Sequence, residues 1–119
     1  MHVLIVDDDE SSCQLLAKIL KRTGAQVEWT TESQAGFARA LQFHYDLIVL
    51  DVQMPGLLGT DFALHLRQRH LDVPIILISA FADNGLRKLA ARLGISLLSK
   101  PFTPDALLAA TSQVLNHVV

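Results

Sequence analysis

Short apolar runs alternating with segments of helical period predict a doubly wound α/β fold: five parallel strands with five helices covering both faces of the sheet. Parallel neighbours need crossover connections, and these are right-handed, so each helix returns the chain to the same end of the sheet. A third observation lies where the runs stop. The first ends in Asp7, Asp8 and Asp9, and the third in Asp51. In such sheets ligands bind beyond the carboxyl ends of the strands, near the point where strand order reverses.

The elements follow in order. "HVLIV", residues 2–6, is continuous, apolar and rich in β-branched residues, as in a strand covered on both faces. "ESSCQLLAKILKRTG" sets Leu16, Ile19 and Leu20 at helical spacing, and Gly24 stops the helix after a basic last turn. "AQVEWT" alternates Val27 and Trp29 with polar residues, the pattern of a strand nearer the sheet edge. A helix over 33–43 places Ala38 and Leu41 on one face with Gln34 at its margin. "DLIVL", 46–50, is a second continuous apolar strand, and "MPGLLG" breaks the chain with Pro55 and Gly56 at the central positions of a type II turn. Thr60 to Arg69 reads as a helix, "VPIILIS" (73–79) as a strand, and "NGLRKLAARLG" as a helix with Leu86, Leu89, Ala90 and Leu93 in register. "ISLL" makes the fifth strand. Thr103 then caps a helix that begins at Pro104 and carries Leu107, Leu108, Val114 and Leu115 inward.

Composition narrows the function. With 119 residues, half of them hydrophobic, the chain is long enough for one domain with a real core and too short for two, so 1–119 reads as a single domain. A net charge of -2 with the signs interspersed gives no general attraction to nucleic acid or anionic membrane. The lone Cys13 cannot form an internal disulfide and sits in a helical apolar pattern, which suits a small core residue and a reducing, cytoplasmic setting. No apolar run approaches the ~18 residues that span a bilayer, and the first strand leaves no room for a signal peptide. A soluble protein is expected. No repeat, linker or low-complexity segment is present.

The residues just past the strands form a chemical set. Asp7, Asp8 and Asp9 follow the first strand, Asp51 the third, Ser79 ends the fourth, and Lys100 and Pro101 follow the fifth. Like charges at ~4 Å repel by about 4 kcal/mol at an effective dielectric of ~20, so convergent aspartates call for a cation. Mg²⁺ fits, because it takes oxygen ligands, binds one or two carboxylates directly and keeps sites for water and phosphoryl oxygens. Lys100 adds a second positive charge, and the Ser79 hydroxyl a donor. A carboxylate, a metal, a cation and a donor are the parts that move a phosphoryl group onto an aspartate.

"VLIVDDDE", "DLIVLDVQMPGLLG", "PIILISA" and "SKPF", in that order and spacing, resemble the receiver domain of two-component response regulators, over essentially the whole chain. The resemblance implies a flavodoxin-like sheet of order 2-1-3-4-5 and a phosphorelay switch rather than an enzyme with a released product. It implies Asp51 as phosphoacceptor, Asp8 as a direct Mg²⁺ ligand, Asp7 acting largely through water, and the Gln53 backbone carbonyl as a further ligand. Ser79 takes the Ser/Thr switch position and Lys100 the lysine position, followed by a proline whose peptide bond is typically cis. The implied partner is a histidine kinase or phosphotransfer protein. The implied output is a change of the helix 4, strand 5, helix 5 surface, which is also a plausible homodimer face, without direct binding of nucleic acid.

One position departs from the family. Three residues before the lysine, where Tyr or Phe is common, stands Leu97, which has no ring to turn inward. Phe81 and Phe102 are the candidate substitutes, and Gln53 and Phe81 occupy positions that tune phosphoryl lifetime. Among simpler roles, Asp9 reads as a helix-start residue. The five histidines, His2, His44, His65, His70 and His117, are dispersed and unsuited to a metal, and "RQRH" and "LRKLAAR" read as solvated helix faces. Three alternatives compete. Asp7 and Asp9 form the D-x-D of a Mg²⁺-dependent haloacid-dehalogenase-like phosphatase with Asp7 as nucleophile, although Glu10 and Ser11 follow where a small residue and Thr are usual. A flavodoxin would want Ser, Thr and Gly, not acids, in the first loop. A receiver-like binding module that is never phosphorylated would make no use of the full site.

Overall fold

The computed structural model describes residues 1–116; His117 lies outside them. The described chain alternates strands and helices in the expected order: β1 (His2–Val6), α1 (Glu10–Lys21), β2 (Gln26–Thr30), α2 (Ser33–Gln42), β3 (Leu47–Asp51), α3 (Gly59–Gln68), β4 (Ile75–Ser79), α4 (Asn84–Leu93), β5 (Ser96–Ser99) and α5 (Pro104–Asn116). The sheet order is β2-β1-β3-β4-β5 and every pairing is parallel.

Side-chain alternation divides the sheet between two cores. Val3, Ile5, Leu47, Val49, Ile76 and Ile78 face α1 and α5 and meet Cys13, Leu16, Leu20 and Leu107. Leu4, Val6, Ile48, Leu50, Ile75 and Leu77 face the other way and meet Phe62, Leu66 and Ala90. The three central strands are buried throughout apart from His2, which is why their sequences are continuous apolar runs. Each fully buried Leu, Ile or Phe contributes about 1.5–3 kcal/mol.

Two helix starts carry the expected caps, Asp9 and Thr103, and Asp83 supplies a third that the sequence did not single out. Asp9 Oδ2 accepts from the Ser12 amide at 3.2 Å, Asp83 Oδ1 from the Leu86 amide at 2.8 Å, and Thr103 Oγ1 from the Ala106 amide at 3.0 Å. Gly56 takes φ +88°, as the second central position of the Pro55-Gly56 turn requires.

One expectation fails. Ala38 and Leu41 are exposed; α2 buries Ser33 and Gly36 and packs Phe37 and Ala40 against the core. The reason is close approach. A Cβ at Gly36 would lie 2.7 Å from Val6 Cγ2, so α2 lies on β1 through its small residues and turns its larger leucine outward. β2 lies at the sheet edge, as its alternating pattern predicts, with Trp29 exposed and Val27 packed on the α1 side. Smaller differences concern bounds: the fourth strand begins at Ile75, not Val73, and the third helix at Gly59.

Candidate functional site

The parallel register sets the site. Val6 pairs with Leu50, Asp51 with Ile78, and Ser79 with Ser99, so the residues that follow β1, β3, β4 and β5 emerge side by side. Asp7 and Asp51 continue the odd-numbered side of their strands, toward α1 and α5.

Carboxylate oxygens of Asp7, Asp8 and Asp51 lie within 4.8 Å of one another, the one such cluster of candidate metal ligands among the described residues. Asp7 is 1% exposed and Asp51 6%, whereas Asp8 is open to solvent. Asp7 Oδ1 accepts from the Asp9 amide at 3.0 Å, but its Oδ2 is buried without a hydrogen-bond partner. Asp51 Oδ1 accepts from the Gln53 amide at 3.1 Å, and Asp51 Oδ2 faces Lys100 Nζ at 3.2 Å. One ammonium among three carboxylates leaves negative charge uncompensated.

Burial pushes the Asp7 carboxyl up to about 6; the Asp9 amide pulls it back in part, and the charge on Asp51 raises it again. Asp9 behaves differently. Its carboxylate caps α1, and the Ser12 hydroxyl holds it below the usual range. The Cys13 thiol, buried and then opposed by the charge on Asp7, is pushed up to about 11, and its Sγ donates to the Asp7 carbonyl at 3.2 Å. It is a neutral core residue.

Ser79 lies buried at the end of β4. Its Oγ accepts from the Phe81 amide at 3.0 Å, which leaves the hydroxyl proton to donate elsewhere, and its carbonyl accepts from the Lys100 amide at 2.8 Å. The Lys100-Pro101 peptide bond is cis. Phe81 is 79% exposed, Phe102 packs into the α1/α5 core, and Leu97 packs into the α4-side core opposite Leu77. Phe102 is therefore pinned on the wrong face to replace a ring at Leu97.

A residue that the sequence did not single out also shapes the site. A Cβ on Gly59 would lie 2.3 Å from the Asp51 carbonyl oxygen, so only glycine lets α3 begin this close to the acid. The only signal in the sequence was the second glycine of "MPGLLG".

The donors fit a hard divalent cation. They are all carboxylate oxygens, one of them buried and without a partner, and they leave an open side through Asp8.

Fold and site together define a class. The chain matches the family model of the response regulator receiver domain over residues 3–112 and belongs to that family. It is 34% identical over 116 residues to the alkaline phosphatase synthesis transcriptional regulatory protein PhoP of Bacillus subtilis, covering 97% of this chain and 48% of that protein. Against Protein PetR of Rhodobacter capsulatus the identity is 39% over 120 residues, covering 98% of this chain and 49% of that protein. The chain thus spans about half the length of the curated relatives it matches. Among solved structures, the chemotaxis response regulator CheY4 of Vibrio cholerae superposes with a TM-score of 0.86 at 29% identity, covering 96% of this chain and 98% of that one. The fold is also that of the Francisella response regulator 1452 receiver domain, with a TM-score of 0.90 at 24% identity over 99% of this chain and 98% of that one.

Proposed function

We propose that residues 1–119 act as one receiver unit that takes a phosphoryl group on Asp51 from a phosphohistidine of a sensor histidine kinase or phosphotransfer protein, in the cytoplasm. The observation that carries this reading is the meeting of Asp7, Asp8 and Asp51 within 4.8 Å beside Lys100.

Asp7, Asp8, Asp51 and the Gln53 backbone carbonyl would hold Mg²⁺, directly or through water. Bound there, the ion neutralises the carboxylates and the charge of the transferring oxygens. Asp51 uses a carboxylate oxygen to attack phosphorus in line. The new bond is O–P, the P–N bond to the donor histidine breaks, and its electron pair stays on that nitrogen. Lys100, already paired with Asp51, follows the charge onto a phosphoryl oxygen. The product carries about -1.5 to -2 charges. The Ser79 hydroxyl donates to that group and draws the loop between β4 and α4 inward, shifting the α4, β5, α5 surface between two arrangements. That surface then changes its affinity for a partner or for a second copy of the chain, with no direct contact to nucleic acid or membrane. Among the described residues no helix is long and apolar enough to cross a membrane.

Asp7 as a phosphatase nucleophile finds less support, since that carboxylate is 1% exposed and spends Oδ1 on the Asp9 amide. Incubation with acetyl phosphate, followed by mapping of the acyl phosphate, tests the proposal. Label on Asp51 alone, dependent on Mg²⁺ and absent from Asp51→Asn, is expected. Label on Asp7 with steady turnover of organic phosphates would support the phosphatase, and no labelled carboxylate would support an unphosphorylated binding module.

A further inference from the structure

We infer that Ser33 is a positioning residue for the divalent-cation site, acting through its hydrogen bond to the Pro55 carbonyl; the inference rests on the proposed assignment of that site to Mg²⁺. Ser33 is 4% exposed, and its Oγ donates to the Pro55 carbonyl at 2.9 Å across 22 residues of sequence. The bond ties the first turn of α2 to the loop between β3 and α3.

The start of that loop is held independently, the Gln53 amide donating to Asp51 Oδ1 at 3.1 Å. Val52 is fixed on both sides, its amide donating to Ile78 at 2.9 Å and its carbonyl accepting from Gly59 at 3.0 Å. Beyond it Gln53, Pro55 and Gly56 are exposed, and only Met54 is buried. Gln53 is thus held on its amide side by Asp51 and Val52, while on its carbonyl side the chain reaches the Pro55 carbonyl bonded to Ser33. Its own backbone carbonyl is the proposed ligand, and a ligand held at both ends needs less ordering when the ion binds.

The packing of α2 explains why Ser33 can reach. Gly36, three residues on and on the same helix face, has so little room that a Cβ would lie 2.7 Å from Val6 Cγ2. This contact presses the start of α2 onto the sheet. A Cβ at Gly56 would come 3.3 Å from Ser33 Oγ, so the turn itself is seated against the hydroxyl. Glu32 caps α2 without a side-chain hydrogen bond, and Ser33 gives its hydroxyl to the loop.

Ser33→Ala removes the bond with almost no change in volume. Titrating Mg²⁺ into the wild-type and variant proteins by calorimetry, with amide hydrogen exchange measured in metal-free buffer, separates the outcomes. The expected result is an affinity about three- to tenfold weaker in the variant, with faster exchange confined to the amides of Met54, Gly56 and Leu57. Equal affinities would overturn the inference while leaving the metal site standing. Weaker binding accompanied by faster exchange throughout the sheet would assign Ser33 to general stability and also overturn it. If the wild-type protein bound no Mg²⁺, the site assignment would fall and the inference with it.

Discussion

A buried carboxylate with one oxygen lacking a hydrogen bond must hold a proton or meet a cation. Asp7 is in that position, and its carboxyl, lifted to about 6 by burial, sets a pH window for the metal-free protein. The folded state prefers the proton more than the unfolded chain does. The stability from that preference is therefore fully present below the ordinary carboxylate value of 3.8 and is lost as pH rises through about 6. With a chelator present, urea unfolding should show a loss of stability across that window on the order of 3 kcal/mol, and Asp7→Asn should flatten the profile. An identical slope in the variant would place the strain elsewhere. That Asp9 caps α1 while Asp7, Asp8 and Asp51 converge was legible because one capping residue accounts for Asp9 and the other three exceed what caps and turns need. The tight seat of Gly59 on the Asp51 carbonyl was not legible, because close backbone approach leaves no periodic trace.

Among the elements, the apolar strands β1, β3 and β4 were easiest to read, since burial on both faces forces unbroken hydrophobic runs. The helix α2 was misread because its deepest positions are Ser33 and Gly36, small residues that hydrophobicity undervalues, with Phe37 and Ala40 packed partly buried beside them. The same helix takes part in a polar cluster that sequence spacing does not reveal. The Tyr45 hydroxyl donates to Glu28 on β2, and Arg39 from α2 pairs with Glu28 at 2.8 Å. The tyrosine hydroxyl is the main cause holding Glu28 below the usual carboxylate range, and the Arg39 charge adds to it. A depressed carboxyl contributes stability that is present above its unfolded value, here 4.5, and lost as pH falls through the folded one. Tyr45→Phe should cost about 1 kcal/mol at neutral pH and lessen the acid-side decline, as chemical denaturation at several pH values would measure. No change at either pH would make the cluster ornamental.

At the scale of the whole molecule, strand order is what converts scattered residues into a site. Parallel pairing in the order β2-β1-β3-β4-β5 brings Asp7, Asp51, Ser79 and Lys100 to one end, and sequence could anticipate this because crossovers keep all carboxyl ends together. Transmission from that end is harder to read. Leu97 packs into the α4-side core, Phe102 belongs to the opposite one and Phe81 is exposed, so among the described residues neither ring takes the place of the aromatic side chain common at that position. Leu97→Tyr should enlarge the change that phosphorylation makes in amide shifts of α4, β5 and α5. Equal shift changes in both proteins would remove Leu97 from the coupling.

The most direct measurement is a crystal structure of the protein with Mg²⁺ and beryllofluoride. The account predicts beryllium bonded to Asp51, Lys100 on a fluoride, and the ion held by Asp7, Asp8, Asp51 and the Gln53 carbonyl. An empty crevice, or beryllium on another carboxylate, would contradict it.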